Sequence, residues 1–302
     1  MKTKKISLAV LGAVCCLQMG GVAMAAHEEH AETTTVDLGK QHVPSGAVVE
    51  EAKPTANLSV MAMSKYVWRG FELSKDSVVI QPSLTVAYKG FSANIWGNED
   101  TDAYAYFDDP TVSTTNAWTE TDFTLAYDWS WEPFGLTVGY IYYGLDAPAY
   151  RTDFPDTQEV FARAALHTLL TPTLSIYRDY DNLSGWYITL GVSHSVPLTE
   201  KIGLNLGAQV GYLAAEDAND YAEVDSATWT LTNNNYSGFH DGLLTASVAI
   251  PVAEYFTVTP MVNYSFPLTS DAADLIEFNS FDGGGSGDND FVYGGVMVSL
   301  AF

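Results

Sequence analysis

Residues 291–302, FVYGGVMVSLAF, alternate without a break. Val292, Gly294, Val296, Val298, Leu300 and Phe302 would share one face of an extended strand, and Phe291, Tyr293, Gly295, Met297, Ser299 and Ala301 the other. Successive side chains of a strand point to opposite sides, so the first face is an apolar band and the second is small and mixed. A long strand with one apolar face needs either a packed sheet or an apolar solvent beside it. The rest of the chain decides between these.

The same alternation recurs from Asn57 onward. It predicts strands over roughly 57–67, 78–89, 91–99, 119–129, 135–143, 158–168, 172–180, 185–196, 202–213, 239–250, 256–266 and 290–302. Leu84, Val86 and Tyr88 alternate with Ser83, Thr85 and Ala87, and Leu204, Leu206, Ala208 and Val210 with Asn205, Gly207, Gln209 and Gly211. A tilted strand that crosses a bilayer needs about ten residues, whereas strands of soluble sandwiches average ~5–6. Beyond the amino-terminal leader no run reaches the ~18 apolar residues of a spanning helix. The fold expected is all-β: one transmembrane antiparallel up-and-down barrel of about twelve strands over 57–302, with both termini periplasmic.

Connection lengths alternate as well. Short ones are expected at Lys89-Gly90, 130–134, 169–172, 197–201 and 251–255. Long ones are expected at about 68–77, 100–118, 144–157, 214–238 and 267–289, with 181–184 as a tight exception. Short periplasmic turns opposite longer outer loops are the habit of outer-membrane barrels. Pro133, Pro197 and Pro251 suit the short turns, because proline presets φ and ends strand pairing. Trp129, Trp131, Phe134, Tyr255, Phe256 and Phe302 then fall together as an interfacial aromatic girdle.

The start of the chain predicts export. Lys2, Lys4 and Lys5 precede an apolar run from Ile6 to Gly20, and Ala23-Met24-Ala25 is a small-x-small site. This reads as a signal peptide cut after Ala25. Cys15 and Cys16 lie inside it, and Val14 and Gly12 do not make Cys15 a lipidation site. The mature chain therefore has no disulfide to rely on. Residues 26–56, with Pro44 and Pro54, read as a flexible periplasmic lead-in. Its His27-Glu28-Glu29-His30 cluster has metal-ligand residue types, but ligands in a disordered segment have no fixed geometry. No metal and no other cofactor is expected.

The formal net charge is −24, which argues against a nucleic-acid partner. The carboxylates gather in the long loops: Asp100, Asp102, Asp108 and Asp109 in one, Asp146, Asp153 and Asp156 in the next. Glu216, Asp217, Asp220, Glu223 and Asp225 make a third group, and Asp271, Asp274, Glu277, Asp282 and Asp288 a fourth. At an outer pore mouth they would concentrate cations. Two other readings are bridging by divalent cations to lipopolysaccharide phosphates and plain solvation of the loops. Asn94, Asn205, Gln209 and Asn263 lie on the polar face and are expected to line the lumen. Arg69, at a predicted strand end, would either fold into the lumen and pair with carboxylates or anchor to headgroups beside Tyr66 and Trp68. Arg163 shares a face with Phe161 and His167 and is the second basic candidate for the lumen.

The order Ser64-Lys65-Tyr66-Val67-Trp68-Arg69-Gly70-Phe71-Glu72-Leu73-Ser74, then Ile80-Gln81-Pro82-Ser83-Leu84, then Gly90-Phe91-Ser92-Ala93-Asn94-Ile95-Trp96-Gly97, resembles the opening of the TorF-type porins of proteobacteria. The resemblance covers residues 57–98. Lys65 stands where that family usually has Asp, and Pro82 is a second departure. The resemblance implies an outer-membrane barrel of a Gram-negative bacterium and a porin label, with no defined substrate. An aromatic carboxyl-terminal residue on the last strand is likewise what the barrel-assembly machinery reads, and makes Phe302 the expected assembly signal.

The activity expected is passive diffusion of small solutes through a narrow channel with a mild preference for cations. Partners would be lipopolysaccharide and membrane lipid, the assembly machinery and small solutes, with the oligomeric state left open. One rival is a non-conducting structural or adhesive surface barrel. Another is a barrel enzyme, and here the residues offer little. A lipase needs a Ser and a His two apart on one face, but Ser193, His194 and Ser195 are adjacent. His240-Asp241 lies near a loop, where a protease dyad would sit, yet neighbours on a regular strand diverge. The glycine-rich run 282–289 lacks the closing Glu of a calcium loop. No catalytic set is expected.

Overall fold

The computed structural model describes residues 53–74, 77–103, 116–146, 155–280 and 288–302. The leader, His27 to His30, Asp108, Asp109, Asp153 and Asp282 lie outside the described residues.

The strands are β1 (Thr55–Met63), β2 (Val67–Trp68), β3 (Phe71–Glu72), β4 (Val79–Tyr88), β5 (Phe91–Asp100), β6 (Ala117–Trp131), β7 (Phe134–Leu145), β8 (Thr157–Leu166) and β9 (Thr173–Asp179). They continue with β10 (Gly185–Pro197), β11 (Gly203–Ala215), β12 (Ala222–Asp225), β13 (Thr230–Asn235), β14 (Ser237–Ala253), β15 (Phe256–Pro267) and β16 (Phe291–Ala301), with a helix α1 (Ser270–Asn279) before β16. Twelve of the strands close into one barrel in the order β1-β16-β15-β14-β11-β10-β9-β8-β7-β6-β5-β4. Every pair is antiparallel, and the number matches the sequence expectation. The strand expected over 57–67 ends earlier, at Met63, because the chain leaves the wall there.

The seam joins β1 to β16 from Asn57↔Ala301 to Met63↔Gly295. Ala56 N donates to Phe302 O at 3.0 Å, and Phe302 N to Ala56 O at 2.8 Å, so the ladder runs to the last residue. Gly295 is required at this seam, since a Cβ there would lie 1.9 Å from the Ala62 carbonyl oxygen. A closed ladder leaves no strand edge with unpaired backbone groups, which is the condition for crossing lipid in β form.

The two ends differ. One carries the short turns and both ends of the barrel chain; at the other lie the strand ends from which the longer connections leave, Met63, Asp100, Leu145, Ala215 and Pro267, with the tight 180–184 among them. The aromatic girdle sits at the short-turn end, where Trp129, Trp131, Phe134, Tyr255 and Phe302 are exposed and Phe302 stacks on Tyr255. Around the wall Leu84, Val86, Leu190, Val192, Leu206 and Val210 are exposed, while Ser83, Thr85, Thr189, Asn205 and Ser299 are buried. Apolar outside and polar inside inverts a soluble protein, and suits a wall solvated by lipid.

The long loops hold structure that the periodicity did not announce. β2 pairs with β3 and β12 with β13 as small hairpins. α1 follows the N-cap Thr269, whose hydroxyl accepts from Ala272 N at 3.1 Å. The apolar core takes in the loop half of the barrel, where Ala272, Leu275 and Ile276 of α1 belong to one buried cluster with Met63, Tyr66, Phe71 and Tyr293.

Leu84→Arg places a charge on the outward face at mid-strand and should destabilise the barrel in lipid by about 2–4 kcal/mol. Ser83→Thr, one residue along on the inward face, should change little. Urea unfolding in bilayers, followed by heat-modifiable gel migration, reads both.

Candidate functional site

The site is built on a hairpin that turns inward. Val67-Trp68 and Phe71-Glu72 pair across Arg69-Gly70, with φ of +51° and +86° at the tip. Two successive positive φ values form the mirror-image two-residue turn that matches strand twist. Lys89-Gly90 makes the same turn at the other end of the barrel, with φ of +50° and +88°. The hairpin base is tied by Leu73 N to Tyr66 O at 2.7 Å, Tyr66 N to Ser74 Oγ at 2.8 Å and the Lys65–Glu72 ion pair at 2.8 Å. α1 packs over it: Glu72 N donates to Ser280 Oγ at 3.1 Å. Gly70 is wedged so closely that a Cβ would lie 3.0 Å from Ile276 Cδ1 and 3.1 Å from Asp241 Cβ.

The tip carries Arg69 to the opposite wall. Its Nη1 lies 2.8 Å from Glu159 Oε1 and its Nη2 donates to Oε2 at 2.8 Å, a two-point fork. Glu159 is 1% exposed. The guanidinium also lies over Trp68 at 4.4 Å, Tyr187 at 4.5 Å and Tyr177 at 5.2 Å from the ring centroids. Breaking one partner out of such a buried pair leaves an uncompensated charge, at a cost of about 3–5 kcal/mol.

Other acids surround the hairpin. Tyr66 Oη donates to Glu120 Oε2 at 2.8 Å, Tyr143 Oη to Glu159 Oε2 at 2.8 Å and Tyr187 Oη to Asp241 Oδ1 at 2.9 Å. Asp100, Asp122 and Asp179 are also buried at this level. Toward the short turns the lumen becomes small and polar. Asn94 Nδ2 donates to Ser83 Oγ at 2.8 Å and Thr85 Oγ1 at 2.9 Å. Asn205, Ser247, Thr259 and Ser92 hold side-chain polar atoms there without a protein partner.

The residues singled out from sequence separate into groups. Arg69, Arg163, Asn94, Asn205, Gln209 and Asn263 all face inward, Arg163 near the Asp128 carboxylate. Asp100 ends β5 on the inward face, 2% exposed, and accepts from Asp102 N at 3.0 Å. Asp102 is exposed. In the 216–225 group, Glu216 is bound by Arg178 at 2.6 Å and by Trp186 Nε1 at 2.9 Å on the outer side of the wall. Asp217 accepts from Asn219 N, Asp225 from Ala227 N, and Glu223 from Asn234 Nδ2. Asp220 is half-buried, and burial, then the Asp217 charge, raises its pKa above the ordinary carboxylate value.

Two features escaped the sequence reading. The inward hairpin had a signal, because Arg69-Gly70 repeats the basic-glycine chemistry of the Lys89-Gly90 turn. The expected divergence of His240 and Asp241 is corrected. The β11–β14 register shifts between Val210 and Tyr212, so both residues stand opposite Gly211 and both are buried. A bulge of this kind turns two neighbours to one side. Gly211 makes room, since a Cβ there would clash with Asp241 Oδ1 and Tyr187. His240 packs on Phe71 at 5.0 Å and Tyr236 at 5.5 Å, in an aromatic setting.

No family model matches the chain, and no curated protein matches it in sequence. Among solved structures it is similar to a KdgM porin, at 9% identity, with 82% of this chain and 99% of that chain covered and a TM-score of 0.47. A NanC porin gives 8% identity, 81% and 98% coverage and a TM-score of 0.46. LpxR from Salmonella typhimurium gives 9% identity, 82% and 99% coverage and a TM-score of 0.45. These likenesses concern the barrel fold alone.

Gly70→Ala should unseat the hairpin, since a left-handed non-glycine residue costs roughly 1–2 kcal/mol and Ile276 has little room to yield. Backbone amides of 64–74 should exchange faster by hydrogen-exchange mass spectrometry, while those of β10 and β11 stay protected. The equivalent change at Gly90, in the distant turn, should leave 64–74 unaltered.

Proposed function

We propose that the chain is a narrow diffusion channel for small solutes in the outer membrane of a Gram-negative bacterium, with a mild preference for cations. The 64–74 hairpin narrows it at the loop end. The observation that carries this reading is the inward wall. It is polar and small toward the short turns, with unpaired donors and acceptors on Asn205, Ser247 and Thr259. Buried polar groups without protein partners suit a solvated path better than a packed core. Toward the loops the wall is acidic, with Glu120, Asp122, Glu159, Asp179 and Asp241 around Arg69 and Lys65. Excess carboxylate in a confined, low-dielectric mouth concentrates cations.

Membership of the TorF-type porins, a signal peptide ending at Ala25, contact with lipopolysaccharide and delivery by the barrel-assembly machinery belong to the same proposal. They rest on the sequence of 57–98, the leader pattern and the carboxyl-terminal strand. The structural surface barrel is the second reading, favoured by the hairpin and α1 packed into the loop end.

Planar-bilayer recordings of the refolded protein should give small conductance steps and a reversal potential favouring cations at low salt. Neutralising Asp217, Asp220, Glu223 and Asp225 to the corresponding amides should lower that preference at ~0.1 M salt, where the Debye length is ~10 Å, and do little at ~1 M. A variant with 66–73 replaced by a glycine-serine linker should conduct more. Silence in both the parent and this variant would replace the channel with the surface barrel.

A further inference from the structure

Arg69 is held by more than a carboxylate. Four consecutive strands of the wall build its seat: Tyr143 on β7, Glu159 on β8, Tyr177 on β9 and Tyr187 on β10. Each is oriented by a partner that does not depend on Arg69. Tyr143 Oη fixes Glu159 Oε2 at 2.8 Å, and Asp241 fixes the Tyr187 hydroxyl at 2.9 Å. Tyr177 and Tyr187 face each other across the β9–β10 ladder, with centroids 6.1 Å apart. The wall therefore presents a fork acceptor between two aromatic rings, independent of the hairpin.

A planar cation that can give two parallel N–H bonds and lie over aromatic rings is what this seat matches. Guanidinium does both, whereas a compact ammonium gives a point charge and no fork. We propose that Tyr143, Glu159, Tyr177 and Tyr187 form a binding site for solutes bearing a guanidinium group, and that Arg69 occupies it as a tethered ligand of the chain itself. A solute of that class competes with Arg69 for the seat and lifts the hairpin tip from the wall. The site names a substrate class for the channel reading, and its use in transport rests on that reading; the binding itself does not.

The tether explains why the chain's own arginine holds the seat. A short flexible link gives an effective concentration of order mM, and a hairpin tied at its base and packed under α1 holds Arg69 in place more firmly than that, so a free solute must exceed mM levels or bind better. Trp68 adds a third ring from the hairpin, at 4.4 Å. This ring leaves with the tip, so it favours the tethered cation over a free one.

Isothermal titration of methylguanidinium into the refolded barrel tests the seat. Arg69→Ala should bind it saturably, and at least about tenfold more tightly than the parent, whose seat is taken. Adding Glu159→Gln to Arg69→Ala should weaken binding at least about tenfold, because the charged fork is lost. Urea, of the same shape but uncharged, should neither bind nor compete. Parent protein gives an independent measurement: amide exchange in 64–74 should rise with methylguanidinium and not with equal urea. Absence of saturable binding to a heat-modifiable Arg69→Ala barrel, or equal binding with and without Glu159, overturns the site. If Arg69→Ala does not fold, unchanged exchange in the parent overturns it. Bilayer conductance is read separately: binding without conductance keeps the site and removes the channel, and conductance without binding does the reverse.

Discussion

Closure of the hydrogen-bond ladder is the constraint from which the rest follows. Each strand residue other than proline offers an N–H and a C=O that lipid cannot satisfy, and an unmade bond there costs several kcal/mol. The β1–β16 seam removes the last open edge, from Asn57↔Ala301 to Met63↔Gly295. Once the ring is closed, alternation sends every second side chain to lipid and every other one to the lumen. Leu84 beside Ser83, and Leu206 beside Asn205, are local consequences of that one geometry.

The loop half of the ring is packed with side chains, and charges buried there must be answered. The loop half of the lumen holds Glu120, Asp122, Glu159, Asp179 and Asp241, all buried. The chain answers part of this with a short hairpin whose tip delivers Arg69 to Glu159. Coulomb attraction in such surroundings is strong, but desolvation takes most of it back, so the pair specifies a position more than it adds stability. Apolar packing supplies the hold: Ile276 and Leu275 of α1 close over Gly70 and Phe71. Charge sets the position of the hairpin tip and apolar contact keeps it seated.

The strands were legible because their period of two is written residue by residue and repeats over about ten residues. Connection lengths were legible because turn residues such as Lys89-Gly90 and Pro197 interrupt that period. β2 and β3, at two residues each, are too short to carry a period. The same run, Tyr66 to Leu73, therefore reads as a strand end and a loop. The bulge at His240 and Asp241 left no mark either, because two buried neighbours look in sequence like any two neighbours on a strand. Asp100 reads as a loop acid in sequence because nothing local shows that β5 extends through it with its carboxylate inward.

The sequence by itself determined the wall: an antiparallel closed barrel, its apolar exterior, its polar interior and its long-loop end. That information is local, since each residue's face follows from its parity along the strand. Only the tertiary structure decided what fills the loop half of the lumen. Arg69 meets Glu159 across ninety positions of chain, and Phe71 meets Tyr221 and His240. Such contacts depend on where the closed ring places distant strands and on the volume left inside it. No periodicity encodes that volume. It exists only once the seam is made.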